Sequence, residues 1–497
     1  MIGLLGGLAA AAVILLFVDF DPEHPAMTRT AAVASLMAIW WMTEAIPIPA
    51  TALLPVALFP LLGISNGRAV AGQYMNDIVF LFIGGFILAL AMEKWGLFRR
   101  FALAIMLLVG ASPRRLILGF MAATAFISMW VSNTAAAMMM VPIALAIVLK
   151  LKDDMPAEEM SRFSPALLIG IAYAASIGGI ATLIGTPPNL AFSRIFAITF
   201  PRAPEITFAR WLMFGLPFAV VFLMLTWAVL ILIFTPRLKS AAADAGLFRR
   251  EYQQLGKMHY EEHVVLWLFV LLVLLWIFRQ NIPIGSFTIP GWSALLAMPS
   301  FVDDGAVAIA VALLLFVIPA RSVRGERLMD WHTAVKLHWG IVILFGGGFA
   351  LAAALEESGL SAWVAQQLRS WQGIPPLFLV VATCAAVTFL TELVSNTACV
   401  QIVLPVLAPM AVGIGVNPLL LMVPATIAAS CGFMLPVGTP PNAIVFGTGE
   451  VRMSHMLRAG IILDLLSVIL VTALMYLVGL PAFGIDPGQV PPWAQTR

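Results

Sequence analysis

The sequence predicts an all-α polytopic membrane protein built from two inverted repeats, each with a re-entrant hairpin and a discontinuous helix. Three observations predict it: composition, duplicated motifs and the distribution of positive charge. Of 497 residues, 62% are hydrophobic and 10% are charged, whereas soluble proteins are roughly 45–50% apolar and about 25% charged. Charged and Gly/Pro-rich segments divide the chain into about ten apolar stretches. One helix needs about 20 apolar residues to cross a bilayer.

The charge and cysteine content excludes other classes. The chain has 27 Lys and Arg against 25 Asp and Glu and lacks the basic stripe that nucleic acid binding needs, so nucleic acid is not an expected partner. Cys384, Cys399 and Cys431 fall in apolar segments, where cysteine usually packs as a small apolar residue. Residues 1–18 are apolar and lack a basic start and a small-residue cleavage site, so we interpret them as a retained first span.

Two motifs occur twice, in the same order along the chain. Ser132-Asn133-Thr134 recurs as Ser395-Asn396-Thr397. Farther along each copy, Gly185-Thr186-Pro187-Pro188-Asn189 recurs as Gly438-Thr439-Pro440-Pro441-Asn442. The copies are 263 residues apart for the first motif and 253 for the second, because the first copy has a longer polar connection between its two motifs. Such self-similarity indicates a duplicated structural unit. We therefore predict two homologous halves in one chain.

The first Ser-Asn-Thr motif lies in an apolar block, Leu116–Leu149, that is too long for one span. As a single helix it would measure about 50 Å, whereas two arms would reach about 24 Å each. Arg114 and Arg115 precede the block, and Lys150 follows it. Since short cytoplasmic loops collect Lys and Arg, both ends are predicted to be cytoplasmic. The block is therefore predicted to be a re-entrant hairpin with its tip near the middle of the membrane.

The second copy, about Ile374 to Val412, has the opposite surroundings. From Ser370 through Val451 there is no Lys, Arg or His, so both ends of this hairpin are predicted to be external. With a cytoplasmic N-terminus, the two halves are inverted relative to each other. Many secondary transporters are built this way, with the binding site near the midplane where the repeats meet.

The Gly-Thr-Pro-Pro-Asn motifs should interrupt a helix in each half. Two consecutive prolines remove two amide donors and push the preceding residue out of the helical conformation. At membrane depth, non-helical backbone is tolerated where it is buried in protein or lines a wet cavity. We therefore predict two discontinuous helices, whose freed carbonyls can bind a cation and whose second segments can point their N-termini at an anion.

The Ser-Asn-Thr motifs supply groups that can donate to a carboxylate and offer oxygen to a hard cation. Ser128 with Ser132, and Thr391 with Ser395, have the i, i+4 spacing that puts two hydroxyls on one helical face. One motif alone is typical of hydrogen-bonded contacts between helices, and one helix break alone of an ordinary kink. Duplication of both in register favours a binding site.

Four glutamates lie in or near predicted spans, where an ionisable side chain is a candidate for function. Glu93 and Glu356 end apolar runs, so we expect them to anchor the chain at the membrane interface. Glu44 is the third. Glu392 is adjacent to Thr391, and two roles stay open for it: a structural hydrogen-bond partner or a residue that couples ions to transport.

With these residues the sequence resembles the divalent anion:sodium symporter family, whose members carry dicarboxylates, citrate or sulfate. The resemblance covers essentially the whole chain. It rests on Trp40-Trp41-Met42-Thr43-Glu44-Ala45-Ile46-Pro47, on both Ser-Asn-Thr motifs and on both Gly-Thr-Pro-Pro-Asn motifs. It implies about 11 transmembrane helices plus two re-entrant hairpins, a homodimer, and an elevator mechanism in which a transport domain slides against a fixed dimerisation scaffold.

The resemblance also implies three sets of site residues. The ligands of a first sodium ion would be Ser128, Ser132, Asn133 and the backbone of Gly185. The ligands of a second sodium ion would be Thr391, Asn396 and the backbones of Val394 and Gly438. The substrate carboxylates would be bound by Asn133, Thr134, Ser395, Asn396, Thr397 and Thr439, with Pro440 alongside.

The leading interpretation is a multi-pass protein of the cell membrane that transports C4-dicarboxylates such as succinate, malate or fumarate together with sodium ions. A dianion in a site without Lys or Arg needs a counter-charge, which sodium would supply. A sodium-independent dicarboxylate exchanger and a citrate or sulfate carrier of the same family remain alternatives. An enzyme is not expected, because the spans contain no nucleophile–base pair and no metal cluster.

The repeats divide the chain into three predicted parts. The first is 1–235, with hairpin tip 132–134 and helix break 185–189. The second is a cytoplasmic connection, 236–263. The third is 264–497, with hairpin tip 395–397 and helix break 438–442.

Overall fold

The computed structural model describes residues 1–110, 112–152, 156–234, 245–284 and 287–495. Their regular structure is helical apart from one short antiparallel strand pair. Within these residues, eight helices are long and apolar enough to cross a membrane, which confirms the predicted all-α polytopic fold. The predicted boundary between residues 235 and 236 lies outside the described residues.

The helices are numbered in chain order. Those before the strand pair are α1 (Ile2–Phe17), α2 (Pro25–Thr43), α3 (Ile48–Thr51), α4 (Leu54–Leu61), α5 (Gly67–Gly72), α6 (Asp77–Lys94), α7 (Leu97–Val109), α8 (Pro113–Ser128), α9 (Asn133–Leu151), α10 (Ala157–Ile180), α11 (Pro187–Thr199), α12 (Phe208–Phe234), α13 (Ala245–Gln254) and α14 (Tyr260–Ile277). The strands are β1 (Ile282–Ile284) and β2 (Phe287–Ile289). The helices after them are α15 (Asp304–Val317), α16 (Trp331–Ala334), α17 (Trp339–Glu357), α18 (Leu360–Gln367), α19 (Pro376–Thr391), α20 (Asn396–Ile414), α21 (Leu419–Ala428), α22 (Pro440–Gly447), α23 (Met453–Leu474) and α24 (Leu480–Phe483).

Each half contains a helical hairpin, α8–α9 in the first and α19–α20 in the second. The arms have 16 and 19 residues in both halves. Pro113 and Pro376 occupy the first helical position of their arms, where the missing N–H would have no partner in any case. An arm of 16 residues is about 24 Å long, which is short of the roughly 30 Å hydrocarbon core. The matching lengths agree with a duplicated, re-entrant unit.

Each half also contains a discontinuous helix, as predicted. The first consists of α10 and α11, separated by residues 181–186, and the second of α21 and α22, separated by residues 429–439. Thr186 and Thr439 are the N-cap residues of α11 and α22, and the two prolines form the first turn. Since the first amides of a helix have no intrahelical partner, the prolines cost nothing there. The motif therefore starts the second segment, and the unwound backbone precedes it.

The two halves interlock around the middle of the molecule. The second segment α11 packs against α20 and α21 of the other half, and α22 packs against α9 and α10. The most apolar 18-residue window of α10 is entirely buried, because protein surrounds it. Each discontinuous helix therefore ends against the hairpin of the opposite half, which brings the four sequence motifs together.

Candidate functional site

A cavity of about 930 Å³ lies where the two hairpins meet the two discontinuous helices. It is lined by the two hairpin tips, by the starts of α11 and α22, by the end of α2, and by the starts of α3 and α17. The polar lining residues are Thr43, Glu44, Ser132, Asn133, Thr134, Thr186, His338, Ser395, Asn396, Thr397 and Thr439. None of the lining residues is Lys or Arg, so an anion here has no basic side chain for a partner.

The predicted site residues converge on this cavity. The whole substrate set lines it: Asn133, Thr134, Ser395, Asn396, Thr397, Thr439 and Pro440. Of the predicted sodium ligands, Ser132, Asn133, Val394, Asn396 and Gly438 also line it. The remaining three, Ser128, Gly185 and Thr391, are buried behind the cavity wall. Three of the predicted cation ligands therefore lie outside the cavity lining, whereas the other five share it with the predicted substrate ligands.

Four helices begin at this cavity. The first residues of α9, α11, α20 and α22 are Asn133, Pro187, Asn396 and Pro440, and all four line it. The N-terminus of a helix carries a partial positive charge. The first turns of α9 and α20 also supply backbone N–H groups, whereas the two prolines that begin α11 and α22 have none. The cavity is therefore suited to an anion although no cationic side chain of fixed charge lines it.

Behind the first hairpin tip, three oxygen atoms lie close together. The Ser128 hydroxyl lies 2.8 Å from Oδ1 of Asn133 and 2.6 Å from the carbonyl oxygen of Ala175. A methyl group added at Gly179 would lie 2.4 Å from Oδ1 of Asn133 and 3.1 Å from the Gly185 carbonyl oxygen. The Gly185 carbonyl therefore faces the same small space. We call this group the first pocket.

The second hairpin repeats the arrangement almost atom for atom. The Thr391 hydroxyl lies 2.9 Å from Oδ1 of Asn396 and 2.7 Å from the carbonyl oxygen of Ala429. Thr391 and Ser128 are both fully buried. This group is the second pocket. Its Gly438 is close to Glu392, because a methyl group added at Gly438 would lie 3.1 Å from Oε2 of Glu392.

Each pocket has more acceptor oxygens than hydrogens to share. A hydroxyl carries one hydrogen, so the Ser128 hydroxyl can donate to Asn133 or to Ala175 but not to both at once. The same holds for Thr391. Crowded oxygens with too few protons form an environment that a hard cation satisfies. The amide nitrogens of Asn133 and Asn396 are not needed in the pockets, which leaves them as donors toward the cavity.

One part of the sequence prediction is wrong. Ser128 and Ser132 were expected to share a helical face, but α8 ends at Ser128 and Ser132 is the N-cap of α9. Thr391 and Ser395 are separated in the same way by the end of α19. The Ser132 hydroxyl instead accepts from the Ala135 amide at 3.3 Å. The chain reverses at the tip, so helical spacing does not apply across it.

The asparagine of each Gly-Thr-Pro-Pro-Asn motif ties the unwound backbone together. Nδ2 of Asn189 donates to the carbonyl oxygens of Thr182 at 2.8 Å and Gly179 at 3.2 Å. Nδ2 of Asn442 donates to those of Leu435 at 3.0 Å and Gly432 at 3.3 Å. Both side chains are fully buried. Their role is therefore to satisfy carbonyls that the helix breaks leave without helical partners.

The tryptophan-rich motif contributes Met42, Thr43 and Glu44 to the cavity lining. Nε1 of Trp41 donates to the carbonyl oxygen of Ile48 at 3.2 Å, which fixes the turn between α2 and α3. Glu44 ends α2 with φ of 45° and is the one residue other than glycine with positive φ in the described part of the chain. Glu44 and His338 are the titratable lining residues. Glu93, by contrast, is exposed at the end of α6.

Glu392 is a structural hydrogen-bond partner in this fold. Its carboxylate oxygens accept from the backbone amides of Met434 at 2.8 Å and Leu435 at 2.9 Å. Sequence reasoning missed the carbonyls of Ala175 and Ala429, which accept hydrogen bonds from Ser128 and Thr391, because a backbone carbonyl leaves no signal in a side chain. It also missed Asp464. The signal was available, since Asp464 is an acidic residue within the apolar helix α23.

Two interlocked repeats with discontinuous helices around one polar cavity define a membrane transporter. The family described as "Sodium:sulfate symporter transmembrane region" matches residues 2–482. The chain belongs to this family, as the duplicated motifs predicted. It is a multi-pass protein of the cell membrane.

Curated relatives match over almost their whole length. The sodium-dependent dicarboxylate transporter SdcS of Staphylococcus saprophyticus is 45% identical over 496 residues, which cover 98% of this chain and 93% of the relative. The SdcS protein of Staphylococcus aureus is 44% identical over 497 residues, with the same coverage of both chains.

Two solved structures share the fold at low sequence identity. MtrF of Neisseria gonorrhoeae has a TM-score of 0.57 and 15% identity, covering 97% of this chain and 99% of its own. The YdaH transporter of Alcanivorax borkumensis has a TM-score of 0.55 and 14% identity, covering 91% and 98%. At these identities the likeness concerns the fold alone.

Proposed function

We propose that this protein is a sodium-coupled secondary transporter of C4-dicarboxylates such as succinate, malate and fumarate. The observation that carries the proposal is the duplicated oxygen pocket behind an anion-suited cavity. Membership of a sodium symporter family and the names of relatives 44–45% identical support the same ions and substrates. The substrates and sodium ions are cargo, and the chain supplies only their binding groups.

Each oxygen pocket would hold one sodium ion. In the first, the ligands are the hydroxyls of Ser128 and Ser132, Oδ1 of Asn133 and the Gly185 carbonyl. In the second, they are the Thr391 hydroxyl, Oδ1 of Asn396 and the carbonyls of Val394 and Gly438. When a cation takes the oxygen lone pairs, the single hydroxyl hydrogen of Ser128 or Thr391 turns to Ala175 or Ala429, which lie 2.6 Å and 2.7 Å away. Every atom of the pocket then has a partner.

The substrate would lie across the cavity between the two hairpin tips. One carboxylate meets Nδ2 of Asn133 with the Thr134 hydroxyl, and the other meets Nδ2 of Asn396 with its neighbours. The donors on that second side are Ser395, Thr397 and Thr439, and Pro440 packs alongside. Each asparagine therefore touches both cargo species, with its oxygen on the cation and its nitrogen on the anion.

This sharing couples sodium to substrate. A dianion with two sodium ions is electrically neutral, whereas either alone leaves charge in a poorly solvated site, which is costly. Binding of each species should therefore tighten binding of the other by the same factor. Movement of the loaded site across the membrane is proposed to follow an elevator mechanism in a homodimer. Cross-linking the hairpins to α2 would test the elevator movement. Measuring the mass of the purified protein in detergent would test the homodimer.

The experiment that tests the function is uptake of labelled succinate into proteoliposomes, with and without an inward sodium gradient. We expect uptake to require sodium and to be inhibited by malate and fumarate more strongly than by citrate or sulfate. Ser128→Ala and Thr391→Val should raise the sodium concentration needed before they abolish succinate recognition. Equal succinate binding in potassium and in sodium would contradict the symporter and favour the sodium-independent exchanger.

A further inference from the structure

The two oxygen pockets have the same ligands but different electrical surroundings. Beside the first pocket, the position equivalent to Glu392 is Met129, and the nearby polar side chain is the neutral Thr182. Beside the second pocket are two carboxylates, Glu392 and Asp464, which are 2% and 1% exposed. The duplication therefore preserves the ligands and changes the charge next to them.

The two carboxylates hold three consecutive backbone amides of the unwound segment before α22. Asp464 Oδ1 accepts from Phe433 N at 3.2 Å, and Glu392 accepts from Met434 N and Leu435 N. The Asp464 side chain is within hydrogen-bonding reach of Glu392. Its second oxygen, Oδ2, is buried and has no hydrogen-bond partner. One carboxylate oxygen of the pair is therefore buried without a donor.

The negative charge of this pair is close to the second pocket, and neither carboxylate is in an ion pair within the described part of the chain. Arg458, on the same helix as Asp464, is exposed. Glu392 directly follows Thr391, and its Oε2 approaches Gly438 closely. The segment Ser370–Val451, which contains the hairpin and the break, has no Lys, Arg or His.

We propose that Glu392 and Asp464 make the second pocket the tighter of the two sodium sites, so that it fills before the first pocket. This inference rests on the proposed function and adds an order of binding to it. A negative charge at this range in a poorly solvated site attracts a cation strongly. The equivalent position beside the first pocket is Met129, which supplies no charge, so the cation affinity of the first pocket depends more on the dianion.

The order of binding can be tested on the unmodified protein. Sodium alone, without succinate, should raise the midpoint of thermal unfolding of the purified transporter, because the second pocket binds sodium without substrate. The sodium concentration for half of this stabilisation should be clearly lower than the concentration for half-maximal binding of labelled succinate. Equal concentrations in the two titrations would mean that the pockets fill together, and the inference would be wrong.

The carboxylates can be tested with the double variant Glu392→Gln/Asp464→Asn, which removes their charge and keeps their volume. Half-saturating sodium for succinate binding should rise about tenfold or more, while succinate affinity at saturating sodium stays near that of the wild type. The matched control in the first half is Thr182→Val. This substitution removes the Thr182 hydroxyl, which bonds to the backbone at the first helix break, but it removes no charge. We therefore expect this variant to need much less additional sodium than the double variant.

The outcomes separate this inference from the proposed function. A wild type that binds succinate equally well without sodium contradicts the function itself. A sodium-dependent wild type with an unchanged double variant contradicts only the role of the carboxylates. If Thr182→Val needs as much additional sodium as the double variant, loop geometry and not charge explains the effect, and the inference is overturned.

Discussion

The two helix breaks carry the same five-residue motif but are held open differently. In the first, α10 continues to Ile180, and the Ala181 amide still bonds the Gly178 carbonyl at 3.0 Å. The Thr182 hydroxyl then donates to the Met129 carbonyl and accepts from the Gly185 amide. In the second, α21 ends at Ala428, and the unwound segment 429–439 is nearly twice as long as 181–186.

The difference shows what buried carboxylates do to a helix end. Residues 433–435, which align with 180–182, give their amides to Asp464 and Glu392 instead of to helix carbonyls. A charge-assisted hydrogen bond is stronger than a neutral one. The carboxylates therefore keep these amides out of the helix, and α21 ends about one turn earlier than α10 does. A neutral hydroxyl suffices to hold the shorter break. Equivalent motifs therefore acquire unequal electrostatics from residues outside the motif.

The two halves are predicted to be inverted relative to each other. Labelling of cysteines from the two sides of the membrane tests this orientation directly. A cysteine at Gly415, after the second hairpin, should react only with an impermeant reagent added outside. A cysteine at Asp153, which follows the first hairpin and lies outside the described residues, should react only from the cytoplasm. Reaction of both from one side would require a parallel duplication.

The largest effect on transport is expected from the two asparagines. Asn133→Ala and Asn396→Ala each remove a group shared by cation and substrate, and losing a buried polar partner costs up to about 3 kcal/mol, or roughly a hundredfold. Succinate uptake in proteoliposomes should be nearly abolished in both, while the amount of protein in the membrane stays normal. Normal uptake by Asn396→Ala would mean that the second motif only joins helices.

The breaks should differ in what they contribute to stability. Glu392→Ala removes two charge-assisted bonds to buried amides, at about 1–3 kcal/mol each, whereas Thr182→Val removes two neutral bonds, to the Gly185 amide and to the Met129 carbonyl. The midpoint of thermal unfolding in detergent should therefore fall further for Glu392→Ala. A larger fall for Thr182→Val would show that the carboxylate bonds contribute less than their geometry indicates.

The smallest effects are expected from the equivalent glutamates at the ends of α6 and α17. Glu93 is exposed and Glu356 is half-buried, and both are remote from the cavity lining. Substitutions at such positions usually change free energies by about 0.5 kcal/mol or less. Glu93→Gln and Glu356→Gln should therefore transport succinate at rates within about twofold of the wild type. A stronger loss would give these residues a role in transport.

The class of fold, the duplication, the two helix breaks and the predicted substrate residues of the cavity lining follow from the sequence alone. These properties depend on composition, on repeated motifs and on the chemistry of proline, all of which can be recognised within short stretches of the chain. The sequence could not decide that Ser128 bonds to Asn133 across the chain reversal, because helical spacing ends at Ser128. Only the tertiary structure brought the carbonyls of Ala175 and Ala429 to the hydroxyls. It also placed Asp464 of α23 beside Glu392, because such contacts depend on packing between segments that are distant in the chain.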